Sequence, residues 1–144
     1  MIIVERQALV PHRAAAMYAL VEDIERYPDF LPWCSGTSVL ARDPARTVAT
    51  IEVDFRGVRQ QFTTENAKRP PELIELRLVR GPFRDFRGEW RFTGLGEAGC
   101  KVELSLAYEL ANPMLARLAG PVFDHIANTF VDAFVRRAAA LRIG

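Results

Sequence analysis

The sequence predicts an α+β fold: a curved antiparallel sheet of six to seven strands wrapped around a long C-terminal helix, with two short helices after the first strand. Apolar and polar residues alternate through much of residues 49–110, which is typical of half-buried strands. An apolar stripe at helical spacing then follows in residues 112–142. Glycine or proline separates the alternating runs, so the connections are short and neighbouring strands should be antiparallel.

The first part of the chain predicts a strand and two short helices. Residues 2–10 are rich in β-forming residues, and the alanine-rich residues 12–22 favour a helix. Pro28 and Pro32 interrupt residues 23–33, because each lacks a backbone N–H and restrains the residue before it. This last segment therefore predicts a second, broken helix.

The middle of the chain predicts a meander with one charged and one apolar face. Glycine or proline turns separate alternating runs within residues 49–110, and residues 35–42 add a strand with a weaker pattern. The charges on one face alternate in sign, which indicates cross-strand pairs and solubilising groups, not a nucleic-acid surface. They are Glu75, Arg77, Arg87, Glu89, Arg91, Lys101 and Glu103.

The C-terminal helix should begin at Asn112, which is a good N-cap before Pro113. Its apolar stripe consists of Leu115, Leu118, Ala119, Val122, Phe123, Ile126, Phe130 and Phe134. Pro121 should kink or restart the helix. Val131 falls on the polar side and Arg137 on the apolar side. Either the apolar face rotates after the kink, or this end contacts another molecule.

Composition indicates a cytoplasmic protein with one domain over residues 1–144. The net charge of +1 gives no general attraction to DNA, so we expect no DNA partner. Cys34 and Cys100 lack metal-ligand spacing and fit reduced core thiols. Charged residues appear from Glu5 onward, so the apolar run at the N-terminus is too short for a signal peptide. No apolar run in the chain is long enough to span a bilayer.

The sequence offers no catalytic constellation, so we expect no enzyme, no catalytic residue, no metal site and no required cofactor. His12 and His125 are the only histidines, and we expect His12 to be exposed at a helix start. No nucleophile elbow, zinc-binding helix or phosphate-binding loop is present. Binding is therefore the simpler interpretation.

Alternation directs a set of large apolar residues toward the last helix, where they could line a cavity for a hydrophobic ligand. The predicted ligand-binding residues are Phe55, Phe62, Leu76, Leu78, Phe83, Phe86, Trp90, Phe92, Leu106, Tyr108, Phe123 and Phe130. Gly88 lacks a side chain among them, which either opens room or permits strand curvature. The same pattern fits a filled core as well as a cavity.

Apolar residues in and beside the Pro28–Pro32 segment, together with one proline of the later Gly-Pro turn, predict a cavity mouth. Its members are Tyr27, Phe30, Leu31, Trp33 and Pro82. An apolar lip of this kind would allow peripheral contact with the inner face of the cytoplasmic membrane.

Two segments carry a family resemblance: Tyr27–Cys34, and Gly81–Phe92 with its Gly-Pro-Phe start and its Gly88 and Trp90. Together with the element order, they resemble the START-like polyketide cyclase/dehydrase superfamily. The resemblance is nearest to the branch of coenzyme-Q-binding proteins and RatA-type ribosome-association toxins. It spans essentially the whole chain and implies a helix-grip fold, in which the sheet encloses the helix around an apolar cavity.

The resemblance implies three functions. The first expectation is non-catalytic binding of ubiquinone or a related prenyl quinone or lipid, in support of cellular respiration. The alternative is a toxin that binds the large ribosomal subunit and blocks subunit association. Aromatic polyketide cyclisation is the weaker alternative.

The first two functions make different demands on the residues. A quinone needs an apolar cavity and donors for its carbonyls, for which Tyr108, Trp90 and Gln60 are candidates. Ribosomal RNA needs clustered cations, and residues 84–91 and 136–142 each contain three arginines.

Overall fold

The computed structural model describes residues 1–143 and contains one seven-stranded antiparallel sheet. The elements in chain order are β1 (Ile2–Val10), α1 (Ala14–Glu22), a 3₁₀ helix (Ile24–Asp29), β2 (Cys34–Asp43), β3 (Arg46–Phe55), β4 (Val58–Arg69), β5 (Leu73–Arg80), β6 (Phe83–Gly94), β7 (Cys100–Leu110) and α2 (Pro113–Leu141). The sheet order is β1-β7-β6-β5-β4-β3-β2. The predicted α+β helix-grip arrangement is confirmed, including the weakly patterned strand, which is β2.

Short turns connect β2 to β7 in sequence order and fix the register of the meander. At the β3–β4 turn, Arg56 and Gly57 both have positive φ, at 51° and 81°. Two such residues are what a two-residue hairpin of type I′ requires, because its twist matches that of the flanking strands. Phe55 and Val58 therefore pair directly, and the register continues to Arg46 opposite Ala67.

α2 begins as predicted, with the Asn112 side chain accepting a hydrogen bond from the Leu115 N–H at 2.9 Å. The helix continues through Pro121. The predicted apolar stripe is wrong at Leu118, which is 65% exposed. Val131 is buried, which agrees with the first of the two alternatives, a rotation of the apolar face. The buried face rotates along the helix, because Val131 shares a stripe with the buried Ala127, Phe134 and Ala138 at spacings of three and four residues.

The end of α2 lies against the start of α1, which corrects the prediction for His12. His12 is buried, and its Nδ1 lies 2.8 Å from the carbonyl oxygen of Ile143. α1 packs on β6 and β7, whereas α2 packs on β1 and β7. No helix within residues 1–143 has both the length and the apolar character needed to cross a bilayer.

Candidate functional site

A largely apolar cavity lies between the sheet, α1, the 3₁₀ helix and α2. The volume open to the centres of water molecules is about 80 Å³. Strand residues that line it as predicted are Phe62, Leu76, Phe83, Phe86, Trp90, Leu106 and Tyr108. α2 contributes Phe123 and Phe130, also as predicted. Side chains therefore do not completely fill the space between the inward face of the sheet and the helices.

Three residues predicted to line the cavity lie elsewhere. Phe55 stacks on His125 with ring centroids 5.5 Å apart. Phe92 packs behind the cavity, 6.0 Å from Trp90 and 5.6 Å from Tyr18. Leu78 is half-buried near the β5–β6 turn, beside Gly81. Alternation fixes the face of the sheet that each side chain occupies, but not how far along the strand the cavity reaches.

Four of the five predicted mouth residues are buried and do not form an exposed lip. Leu31 is 1% exposed and Trp33 is 2% exposed, and Pro82 is also buried. The ring of Trp33 lies 5.7 Å from Phe130, so this segment packs against α2 and does not project into solvent.

The two aromatic residues before Leu31 have separate roles. Tyr27 is buried and forms part of the cavity wall itself. Its hydroxyl donates to the Val21 carbonyl, and burial raises the pKa of this phenol well above its usual value. Phe30 is half-buried, with its ring 5.0 Å from Phe134, and it borders a groove on the outside of α2.

Tyr108 and Gln60 are not free donors inside the cavity. The Tyr108 hydroxyl donates to Oδ1 of Asp124, and Gln60 is not among the cavity-lining residues. Burial raises the pKa of Tyr108, and the bond to Asp124 raises it further. Tyr108 therefore stays protonated at neutral pH, and its hydroxyl proton already forms the hydrogen bond to Asp124.

Gly88 makes room for its neighbours and does not enlarge the cavity. A Cβ at this position would lie 2.6 Å from Cδ2 of Leu106 and 3.2 Å from Cδ1 of Leu76. Both leucines face Gly88 across the sheet, on β7 and β5. Their side chains occupy the space that a larger residue would need.

The cavity has one polar end, which the sequence analysis missed. Glu22, Thr64 and Asn66 line it there. The alternation that places Phe62 inward also places Thr64 and Asn66 inward, so a signal for those two was present. Glu22 gave no such signal, because it looks like one member of an acidic surface run.

Glu22 is held by three groups from distant strands. Its Oε1 accepts from Thr47 Oγ1 at 2.7 Å and from Lys68 Nζ at 2.8 Å, and Arg42 Nε lies 3.4 Å away. Its Oε2 is buried and has no hydrogen-bond partner within residues 1–143. Lys68 is itself buried, with 6% of its side chain exposed. The carboxylate is thus charge-compensated, but only one of its oxygens is satisfied.

The described residues contain neither an activated thiol nor a cluster that could bind a metal ion. Burial raises the pKa of the Cys34 thiol to about 11, so the thiolate is scarce at neutral pH. Both cysteines are free thiols. Within residues 1–143 no three His, Cys, Asp or Glu side chains are placed to hold a metal ion.

Comparison with known proteins identifies the family. The sequence profile of the family described as polyketide cyclase / dehydrase and lipid transport matches residues 10–135. The chain therefore belongs to this family, as the two sequence segments indicated.

Among curated relatives, the chain is similar to proteins named ribosome association toxin RatA. It is 43% identical over 138 residues to the protein of Pseudomonas aeruginosa, covering 96% of each chain. It is 45% identical over 135 residues to that of Vibrio cholerae, covering 94% of each. The coenzyme Q-binding protein COQ10 homolog B of Xenopus laevis is more distant, at 28% identity over 87% of this chain and 53% of that protein.

Solved structures share the fold. A START superfamily protein from Mycobacterium smegmatis superposes with a TM-score of 0.75 at 25% identity, covering 96% of this chain and 98% of that one. The Zhui aromatase/cyclase from Streptomyces superposes with a TM-score of 0.80 at 18% identity, covering 96% and 93%. At that identity the cyclase shows the fold alone. The curated relatives named above are called toxins or binding proteins, which fits the expectation of a non-enzyme.

Proposed function

We propose that this chain binds the large ribosomal subunit and hinders its association with the small subunit. The observation that carries the proposal is the similarity to ribosome association toxins, at 43% and 45% identity over nearly the whole of both chains. This was the alternative interpretation from the sequence, and it is now preferred to quinone transport.

The size of the cavity supports this preference. Pockets that enclose drug-sized ligands span about 300–1,000 Å³. The cavity here offers about 80 Å³, so a prenyl quinone with its tail would require a large expansion of the core. Ribosome binding needs no such change.

A cluster of arginines supplies a surface suited to ribosomal RNA. We call the arginines at the end of α2 and in the segments that contact it the basic end; its members are Arg13, Arg26, Arg136, Arg137 and Arg142, of which Arg137 is only 24% exposed. Arg26 and Arg137 share Asp29, at 3.7 and 3.8 Å. Arg13 and Arg142 are brought together because their neighbours His12 and Ile143 are hydrogen-bonded.

The outer face of the sheet is a poorer candidate for RNA. Within the described residues, Arg77 pairs with Glu65 at 2.7 Å and Arg91 with Glu89 at 3.3 Å. Arg13, Arg136 and Arg142 form no ion pair within the same residues 1–143. Unpaired cations release more counterions from RNA and gain more binding energy.

The test is sedimentation of bacterial ribosomes with the purified protein through a sucrose gradient. We expect the protein to travel with the large subunit and the subunit peaks to grow at the expense of the joined ribosome. The Arg136→Ala, Arg142→Ala double variant should weaken this effect, whereas Arg77→Ala, Arg91→Ala removes equal charge and should not. An unchanged subunit ratio with the wild-type protein would exclude the function. Equal loss in both variants would remove the basic end as the contact.

A second function, binding of an apolar molecule in the cavity, is supported by the cavity's apolar lining and by the similarity to a coenzyme Q-binding protein. Solvent extraction of the purified protein followed by mass spectrometry tests it for natural ligands. A near-equimolar prenyl quinone would restore the first expectation from the sequence. A repeatedly empty protein would count against a tightly held lipid.

A further inference from the structure

We propose that the cavity binds an uncharged, mostly apolar molecule through one hydroxyl group, an alcohol or a phenol, held between Glu22 and Asn66. The inference rests on the second function proposed above, that the cavity is a ligand site. The ligand's polar group would donate a hydrogen bond, whereas the carbonyl groups of a quinone can only accept one. Ribosome binding does not depend on it.

The first reason is the unsatisfied oxygen of Glu22. Buried polar atoms almost always have a partner, because leaving one unpaired costs more than a hydrogen bond normally contributes. Thr47 and Lys68 both donate to Oε1, so neither supplies Oε2. Since Glu22 lines the cavity, a donor inside the cavity is the partner that would satisfy it.

The second reason is the position of Asn66. It pairs directly with Thr47 across β3 and β4 and lies two residues before Lys68, so it shares their face of the sheet beside Glu22. Its Oδ1 accepts from Thr64 Oγ1 at 2.8 Å. The amide nitrogen is therefore the part of Asn66 that can donate to a ligand.

A hydroxyl group matches this pair, because its oxygen donates one hydrogen bond and accepts others. It would donate to Oε2 of Glu22 and accept from Asn66. A quinone carbonyl only accepts, so it would face the unpaired carboxylate oxygen without a proton between them. The polar end of the cavity thus discriminates against the ligand that the family resemblance first suggested.

Charge argues for a neutral ligand. Glu22 already has Lys68 and Arg42 within 3.4 Å, so the carboxylate does not need an additional cation. An ammonium group would meet the buried Lys68 ammonium at close range, which is unfavourable at low dielectric. A carboxylate ligand would be repelled by the negatively charged Oε2 of Glu22. A neutral donor avoids both repulsions.

The rest of the cavity suits a compact ring. Trp90, Phe130 and Leu106 are among the residues that line it, and its volume of about 80 Å³ favours small molecules over long chains. Cyclohexanol and cyclohexanone form a suitable pair of probes, because they have nearly the same size and differ in whether the oxygen can donate.

The experiment is a titration of the full-length protein with each probe, followed by NMR of the side-chain methyl groups around the cavity. We expect cyclohexanol to bind about tenfold more tightly than cyclohexanone, in line with one hydrogen bond to a charged group. The shifted signals should include those of Leu106 and Ile126, which line the cavity. Equal affinities would overturn the hydroxyl assignment and leave the cavity as a ligand site. Absence of binding by both would overturn the assignment, whereas the solvent extraction described above decides the second proposed function separately.

Glu22→Gln provides the decisive variant. The Gln carbonyl must accept from Thr47 and Lys68, so its NH₂ group would take the place of Oε2 and turn an acceptor into a donor. We expect the preference for cyclohexanol to disappear or reverse. Glu25→Gln is the matched control, because Glu25 also binds Arg42 but is half exposed and does not line the cavity. An unchanged preference in Glu22→Gln would contradict the proposal. If that variant does not fold, the wild-type affinities decide alone.

Discussion

At the scale of single residues, Trp90 shows how one side chain joins the sheet to the last helix. Its ring is stacked on Phe92 at 6.0 Å and lies 5.7 Å from Phe130 and 5.4 Å from Phe134. It is 2% exposed and also lines the cavity. The same residue therefore contributes to the stability of the core and to the shape of the candidate site.

We expect Trp90→Ala to lower the free energy of unfolding by about 3–5 kcal/mol, because it removes a buried ring and leaves a void. Urea denaturation followed by circular dichroism measures the loss. Arg91→Ala, at the neighbouring position on the outer face, should change stability by less than about 0.5 kcal/mol. A loss under 1 kcal/mol for Trp90→Ala would mean that the core collapses around the missing ring.

Cys34 allows a test of burial through its chemistry. Its thiol pKa of about 11 predicts that iodoacetamide at pH 8 reacts about 100-fold more slowly with the folded protein than with the urea-unfolded protein. Because the thiolate fraction rises with pH below the pKa, the folded rate should increase about tenfold per pH unit between pH 8 and pH 10. A Cys100→Ser variant isolates the signal, which mass spectrometry follows. Equal rates in both states would show an accessible thiol.

At the scale of elements, local signals fix where α2 starts but not which face it buries along its length. Asn112 and Pro113 give the start, and the Asn112 side chain caps the Leu115 N–H. The sheet then decides the buried face, and it selects Val131 while leaving Leu118 in solvent. The buried positions rotate around these 29 residues, so one fixed face cannot describe the helix.

We expect Asn112→Ala to destabilise the protein by about 1 kcal/mol, because a first-turn N–H loses its acceptor. Asn112→Asp keeps the acceptor and should retain most of the stability. Thermal unfolding of the two variants beside the wild type makes the comparison. Equal stability of the alanine variant would show that water replaces the cap at no cost.

At the scale of the whole molecule, ion pairs between distant segments give stability that depends on pH. Hydrogen bonding to Arg42 lowers the pKa of Glu25, and hydrogen bonds from Arg77 and Arg46 lower that of Glu65. A carboxyl whose pKa is lower in the folded state stabilises the fold above its unfolded value, and this contribution is lost as pH falls through the folded pKa. All three ion pairs are at least partly exposed, so solvent screens them.

The double variant Glu25→Gln, Glu65→Gln should therefore lose less stability than the wild type between pH 6 and pH 3. Urea midpoints across this range report the difference, and the two curves should converge at the acid end. Parallel curves would show that neither carboxyl contributes to acid sensitivity.

Sequence alone determined the α+β class, the antiparallel meander, the start of α2 and the inward direction of Phe62, Leu76 and Trp90. These follow from local rules, since alternation, turns and caps depend on residues within a few positions of one another. Even the family could be recognised from two short segments.

Only the tertiary structure decided the extent of the cavity and the composition of its polar end. Leu31 and Trp33 are covered because α2 returns over them. Phe55 and Phe92 fall outside the cavity because they pack on His125 and on Trp90 instead. Glu22 meets Thr47 and Lys68 across separations of 25 and 46 residues. A local pattern cannot encode such contacts, because they arise from the packing of elements that are distant in the chain.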